Sequence, residues 1–368
     1  MANLKKKTDY VYSELENDLR NQIQKGILKP DECILSENRL CEQYRLSRRS
    51  TRKALDNLVA QGMLYRRAGK GTFVSPNFDQ KIDRPAISFI VPEINDLFIS
   101  EVSLGVQQAS AGNSFLIIQT SGGSSTTENA NIEWLLHNKI AGAIIFPNWG
   151  RANLDALYKL QKANIPFVLV DRYLPDFESD CVLVDNIGGA KAAVRHLLSR
   201  GHTRIAHLFG TEGSANQDRL MGYMEALAEA NLVYRPEYVL RIPPNSHAKT
   251  TERFEPDKHF GYLNMRKLLS LRKPPTAVFA GNDYQAIGAI QAIEEAHLRI
   301  PDDIAVVGFD DLKLSAMLET PLTTIAQPKA DIGKNAVELL LRRIQSNAPN
   351  APRKRIVLPT QLVVRKSS

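Results

Sequence analysis

The sequence predicts an α/β protein in which an N-terminal winged helix-turn-helix is joined to a two-lobed domain with parallel sheets. Three observations predict it. A short basic segment reads as three helices and a hairpin. The chain beyond it alternates apolar strands with amphipathic helices, a pattern of parallel sheet buried on both faces. And 368 residues are too many for one ordinary core.

In the N-terminal part, Val11, Leu15, Leu19 and Ile23 recur every four residues and predict a helix from Tyr10 to Lys25, stopped by GILKPDE. A second helix starts near Ser36, which can cap it, with Leu40 and Tyr44 facing inward; a third runs from Ser47 to about Gln61 and ends at Gly62. MLYRRAGKGTFVS reads as two short strands, because Gly69 and Gly71 tolerate the positive φ angles of a tight hairpin. SPNFDQKIDRP has no apolar periodicity and is expected to be a linker. The expected domains are therefore 1–75, a linker over 76–85, and 86–368.

The third part carries the strands AISFIVP, SFLIIQT, AGAIIFP, PFVLVDR, RIAHLFG, YVLRIP, TAVFAG and IAVVGFD. Between them lie helices such as LDALYKLQKA, AAVRHLLSRG, DRLMGYMEALAEA and QAIGAIQAIEEA. Roughly nine or ten strands exceed one compact doubly wound unit, so two lobes are expected, with a break near Asp185 and a return to the first lobe after about 310.

The net charge is +7 and unevenly placed: Leu46 to Phe73 holds Arg48, Arg49, Arg52, Lys53, Arg66, Arg67 and Lys70 against the single acid Asp56. Such a local surplus is an electrostatic footprint for nucleic acid or an anionic membrane. On a helical wheel Arg48, Arg49, Arg52 and Lys53 share one flank, while Thr51, Leu55 and Leu58 share another, so one side docks and the other is free to enter a groove. An isolated basic helix is more often merely solvated. A second basic element at the hairpin tip, Lys70 between two glycines, tips the balance to DNA.

The run ILSENRLCEQYRLSRRSTRKALDNLVAQGMLYRRAGKGTFV resembles the winged-helix domain of the GntR family of bacterial transcription regulators over residues 10 to 75. The resemblance implies DNA contact from Asn38, from the recognition-helix residues Arg48, Thr51 and Arg52, and from Lys70 and Gly71 of the wing, with Arg49 expected on the DNA backbone. The sequence departs from the family at Leu35, where proline is usual, and at Asn38, where arginine is common.

In parallel α/β lobes, ligands lie beyond the carboxyl ends of the strands. The polar and aromatic residues there are Asn95, Asp96 and Phe98, then Asp171 and Arg172, Arg219 at a helix start, Asn282 and Asp283, and Asp310 and Asp311. Each alone is more often a helix cap, and Asp283 and Asp311 are assigned to that role. Together they offer the donors and acceptors that hold vicinal hydroxyls. The stretches PFVLVDRYLPDFESDCVLVDNIGGAKAAVRHLLSRGHTRIAHLFG, TAVFAGNDYQAIGAIQAIEEAHLRIPDDIAVVGFDD and PLTTIAQPKADIGKNAVELLL resemble the effector domain of the LacI/GalR family, itself similar to periplasmic sugar-binding proteins. That resemblance covers about residues 86 to 366. It implies ligand contact from Phe98, Asp171, Arg219, Phe254, Asn282, Asp310 and Gln327. RIPPNSHAKTTERFEP is longer than in typical members, and the family's hinge-helix segment is replaced by the linker.

The two resemblances together imply a ligand-responsive transcription regulator, a repressor of carbohydrate genes, that binds double-stranded operator DNA as a homodimer and takes a small sugar as effector. A nucleoside or purine effector is the alternative. A non-DNA-binding sugar carrier fits less well, given the basic module. No phosphate-binding loop, nucleophile triad or metal set is legible, so neither an enzyme nor a cofactor is expected. Cys33, Cys41 and Cys181 form an odd set without metal-ligand spacing, and no run approaches the ~18 apolar residues of a membrane span; a cytoplasmic protein without membrane contact is expected.

Overall fold

A computed structural model describes residues 14–23, 26–76, 84–148, 153–243, 254–346 and 351–368. The chain divides into two compact units, Met1–Arg84 and Pro85–Ser368. Most of the expected linker, and Val11 of the first helix, lie outside the described residues.

The first unit is the winged helix: α1 (14–23), α2 (Glu37–Tyr44), α3 (Arg48–Ala60) and an antiparallel hairpin of β1 (Leu64–Arg67) and β2 (Gly71–Val74). Ser36 caps α2 by accepting from the Arg39 amide, and Ser47 caps α3 by accepting from that of Ser50. Leu15, Leu19 and Ile23 pack with Leu40, Leu55, Leu58 and Val74 in one small core, as the four-residue repeat requires. At the wing tip Gly69 has φ 73° and Gly71 φ 117°, angles that side-chain-bearing residues rarely adopt.

The second unit has two six-stranded sheets. The first lobe contains β3 (Ala86–Val91), β4 (Phe115–Thr120), β5 (Gly142–Ile145), β6 (Phe167–Val170) and β7 (Asp180–Val184), in the order β13-β7-β6-β5-β3-β4, with β13 (Arg355–Leu358) arriving from the C-terminal end. The second contains β8 (Ile205–Phe209), β9 (Val239–Arg241), β10 (Ala277–Ala280), β11 (Ala305–Asp310), β12 (Thr323–Ala326) and β14 (Gln361–Val363), in the order β14-β12-β11-β10-β8-β9. All pairings are parallel except that of β14 with β12.

Helices cover both faces. In the first lobe, alternate strand residues Ile87, Phe89, Ile144 and Val168 face α4 (Leu97–Ser110) and α11 (Lys329–Ser346), while Ile90, Ile145 and Leu169 face α5 (Ser125–His137) and α6 (Leu154–Lys162). In the second, Phe209, Phe279 and Val307 face α7 (Asn186–Ser199) and α8 (Ser214–Glu229), while Leu208, Val278 and Val306 face α9 (Phe254–Leu269) and α10 (Asp283–Glu295). The α9–α10 contact is close enough that a Cβ built on Gly288 would lie 1.9 Å from the Lys258 carbonyl oxygen.

The chain returns to the first lobe at Gln327–Lys329, not after about 310, because β11 is followed by a fifth parallel strand, β12, that stays in the second sheet. It then crosses once more, from β13 in the first sheet to β14 in the second.

In the core of the second lobe the imidazole of His207 lies between the rings of Phe279 (4.8 Å between centroids) and Tyr223 (5.3 Å). Its Nδ1–H donates to the Phe279 carbonyl at 3.0 Å, which fixes the neutral tautomer. Burial pushes its pKa down to about 4. Between that value and the ordinary one near 6.5 the unfolded chain binds a proton that the native chain does not, so stability is lost as pH falls through this window. From pH 7 to pH 4 the native protein is expected to lose about 3 kcal/mol through this residue. Denaturant titrations of the wild type and His207→Phe should therefore diverge in pH dependence by that amount, and parallel curves would contradict the assignment.

Candidate effector cleft and nucleic-acid interface

Because both faces of each sheet are covered, polar groups are left at the strand ends, and those of the two lobes line one cleft. It encloses about 530 Å³, its open mouth included, with Phe98, Phe146, Asp171, Arg172, Arg219, Asn282 and Asp310 on its walls.

Arg219, on the second turn of α8, is only 5% exposed. Its Nε donates to Asn186 Oδ1 at 2.8 Å, its Nη1 to the Gly281 carbonyl at 2.5 Å, and its Nη2 lies 3.9 Å from Asp310 Oδ1. The guanidinium sits 3.8 Å from the centroid of the Phe309 ring, so its plane is fixed before any ligand arrives. Asp310 accepts from Gln327 Nε2 at 2.6 Å; burial holds its carboxyl well above the usual range, against the pull of Arg219 and Lys329. In the first lobe Arg172 donates through Nε and Nη2 to Asp171 Oδ2, at 2.9 and 2.7 Å, and lies over the Phe146 ring. Asp171 (φ 70°), Asp310 (φ 125°) and Asp311 (φ 52°) all hold backbone angles costly for residues other than glycine, a kind of strain that collects at functional sites.

Asn282, not Asp283, caps α10, its Oδ1 accepting from the Gln285 amide at 2.9 Å while its Nδ2 donates to Asp257 Oδ2 at 2.7 Å. The cap assigned to Asp283 is thus corrected. Its fully buried carboxylate accepts from Leu312 N, Ser315 Oγ and Thr324 Oγ1 and ties α10 to the segments after β11 and in β12. Asp311 caps no helix either; it pairs with Arg365 at 2.6 Å. Gln327 supports Asp310 without lining the cleft, Asn95 is exposed outside it, and the side chain of Phe254 lies outside the described residues.

Sequence reasoning missed Phe146, Tyr284 and Asp257, all of which line the cleft. Phe146 directly follows β5, so the strand-end rule could have found it. The other two sit inside helices, where no local signal marks them.

The lobes also touch directly. The Leu97 amide donates to the Tyr284 hydroxyl at 3.2 Å, and the Tyr173 amide to Ser214 Oγ at 2.9 Å. Lys329, buried at the start of α11, donates to the carbonyls of Asp310 (2.7 Å) and Asp311 (2.9 Å) and lies 3.7 Å from Glu101 on α4. It thereby joins the Asp310 loop to the helix that carries Phe98.

In the winged helix, α3 turns Ala54, Leu55 and Leu58 inward and Arg48, Arg49, Arg52 and Lys53 outward. Thr51 corrects an expectation: it is fully buried, its Oγ1 accepting from Cys41 Sγ at 3.2 Å, so it packs α3 on α2 and does not face outward. Asn38, Lys70 and Gly71 are exposed. Among the described residues the side chains of Arg48, Arg49 and Lys70 have no ion-pair partner, whereas Arg52 donates to Glu37 at 3.0 Å and Arg66 pairs with Asp56 at 2.7 Å. Three exposed cations without an ion-pair partner, two on α3 and one at the wing tip, suit a polyanion. No group of three metal-capable side chains occurs among the described residues, and no described helix is long and apolar enough to cross a membrane.

Removing the Lys329 ammonium leaves two loop carbonyls and a carboxylate short of a donor. Lys329→Met is therefore expected to cost about 3 kcal/mol in a denaturant titration of the full chain. An unchanged midpoint would show that these contacts contribute nothing to stability.

Comparison with known proteins adds independent evidence. Residues 11–74 match the model of bacterial regulatory proteins of the gntR family, and residues 194–368 that of the periplasmic binding protein-like domain. The chain is 30% identical over 374 residues to the arabinose metabolism transcriptional repressor of Geobacillus stearothermophilus, covering 99% of both chains. It is 35% identical over 283 residues to the ribose operon repressor of Haemophilus influenzae, covering 76% of this chain and 80% of that one. Among solved structures it resembles the transcriptional regulator CelR in complex with cellobiose (TM-score 0.68, 26% identity, 87% of this chain and 90% of that one). It also resembles a LacI family regulator from Enterococcus faecium with bound ribose (TM-score 0.63, 28% identity, 77% and 98%). With both modules matched and a relative aligned from end to end, the chain belongs to the family of bacterial transcriptional repressors that join a gntR-type DNA-binding domain to a periplasmic-binding-protein-like domain.

Proposed function

We propose that the protein represses carbohydrate genes in the cytoplasm, and that a small sugar held in the cleft controls its affinity for operator DNA. The observation that carries this reading is the convergence of Phe98, Asp171, Arg219, Asn282 and Asp310 on one cleft. Fixed donors and acceptors beside aromatic rings suit a compact ligand with several hydroxyls and apolar C–H faces. The repressors to which the chain is similar support reading the cleft as a binding site and not a catalytic one. Turnover of a bound sugar would contradict that statement.

Control requires that the ligand bind one state of the protein more tightly than the other, since equal affinity shifts nothing. Contacts from both lobes supply the difference, because only a closed cleft brings Phe98 and Asp171 to the same ligand as Arg219 and Asn282. The repressor acts as a homodimer, which multiplies the limited specificity of one winged helix. Leu97 and Leu104 on α4, with Phe115 and Ile118 on the edge strand β4, are exposed apolar side chains suited to a second copy. Sedimentation as a monomer would contradict the dimer.

On DNA, in this reading, Arg48 and Arg52 contact bases or phosphates, Arg49 and Arg66 hold the backbone, and Asn38, Lys70 and Gly71 add further contacts. With a duplex selected from a random-sequence pool, Arg52→Ala is expected to relax sequence preference, each lost base contact costing about 1–3 kcal/mol of discrimination. Arg66→Ala is expected to weaken all sequences alike and to flatten the salt dependence. Identical behaviour of the two variants would refute this division. In a gel shift with the same duplex, L-arabinose, D-ribose or cellobiose should change affinity at least about tenfold, a typical allosteric coupling. DNA binding indifferent to every sugar tested would sink the switch.

A further inference from the structure

The cleft has an acidic excess and an amide–carboxylate pair that the strand-end residues do not explain. Among the described residues four lining carboxylates, Asp96, Asp171, Asp257 and Asp310, are each at most 8% exposed, against the two guanidiniums of Arg172 and Arg219. Both guanidiniums already give donors to the protein: Arg172 to Asp171, and Arg219 to Asn186 and the Gly281 carbonyl. The helix starts offer an anion little. Asp96 caps α4 by accepting from the Ile99 amide, and Asn282 caps α10. The start of α8 has no side-chain cap, but the carboxylates of Glu212 and Asp218 flank it in sequence. A phosphate or carboxylate entering this cleft would meet repulsion from these carboxylates.

The amide of Asn282 is oriented without ambiguity. Its oxygen faces the Gln285 N–H, so its nitrogen faces Asp257, where only an acceptor is present. One Nδ2 hydrogen goes to Asp257 and the other has no acceptor among the described residues. A neutral amide donor and a buried carboxylate thus stand side by side on the second-lobe wall. That is a donor–acceptor couple for two adjacent hydroxyls, one donating to the carboxylate and the next accepting from the amide.

We propose that Asp257, together with Asn282, is an effector-binding and specificity-determining residue, and that the cleft selects an uncharged polyhydroxylated ligand and rejects its phosphorylated or carboxylated counterparts. This rests on the reading of the cleft as a sugar site, and deepens it by naming the charge class. Asp257 reads a hydroxyl as an acceptor and, with the other carboxylates, excludes anions. The regulator therefore responds to a free sugar before any kinase has acted on it.

Isothermal titration calorimetry of the full chain tests this, with D-ribose, L-arabinose and D-glucose against D-ribose 5-phosphate, D-glucose 6-phosphate and D-gluconate. The expected result is binding of a neutral sugar, with its anionic counterpart at least about 100-fold weaker. Asp257→Asn, which keeps size and removes charge, should weaken the neutral sugar about 10- to 100-fold, the range for a hydrogen bond to a charged group. It should also narrow the gap to the anionic counterpart. An anionic ligand bound as tightly as the neutral one overturns the inference while leaving the sugar reading intact, and this wild-type comparison does not depend on the variant folding. An Asp257→Asn chain with the wild-type melting temperature and unchanged affinities also overturns it. If none of the sugars, charged or neutral, binds, the sugar reading fails and takes this inference with it.

Discussion

The chain crosses between the lobes three times, after β7, after β12 and between β13 and β14, and the properties of the cleft depend on that triple connection. A single link would let the lobes swing freely and would charge any ligand the full entropic cost of bringing them together. Three links limit the motion and keep the carboxyl ends of two sheets facing each other. The buried Lys329 sits at the second crossing, and Asp185, which follows β7 and caps α7, sits at the first. The residues that hold the lobes together are thus neighbours of those that would hold a ligand.

The cleft is costly to build. Arg219 and Asp310 are nearly buried, and desolvation raises the Asp310 carboxyl pKa; behind the cleft the fully buried Asp283 is pushed up to about 6. Three acidic residues at strand ends hold positive φ angles. These penalties are offset by apolar cores on both faces of each sheet, which is where most of the stability of such a domain arises. Strain and desolvation concentrated in one place, with well-packed cores around it, are the pattern expected of a binding site and not of a structural seam.

Much of this was legible in the sequence because the informative rules are local. A strand-end position exposes Asp171, Asn282 and Asp310 wherever the strands lie in space, and a helix start marks Arg219. Likewise the four-residue repeat of α1 and the serine before each of α2 and α3 announce the winged helix. What failed was non-local. Asp257 lies within a helix that follows an unusually long connection, and only the packing of α9 on α10 brings it to Asn282. Capping rules could not separate adjacent Asn282 and Asp283. β12, β13 and β14 are only three or four residues long, so the return to the first lobe was placed too early and the last crossing, from β13 to β14, went unseen. For Thr51 the helical wheel already placed it on the docking flank, and family resemblance alone turned it outward.

The central claim is that one equilibrium governs both sites, and thermodynamic linkage makes that claim directly measurable. The decisive measurement is the dissociation constant of the effector sugar for the full chain, alone and saturated with an operator duplex. If the two sites share one equilibrium, operator DNA changes sugar affinity by the same factor and in the same direction as the sugar changes DNA affinity. A sugar affinity indifferent to saturating operator would contradict the account.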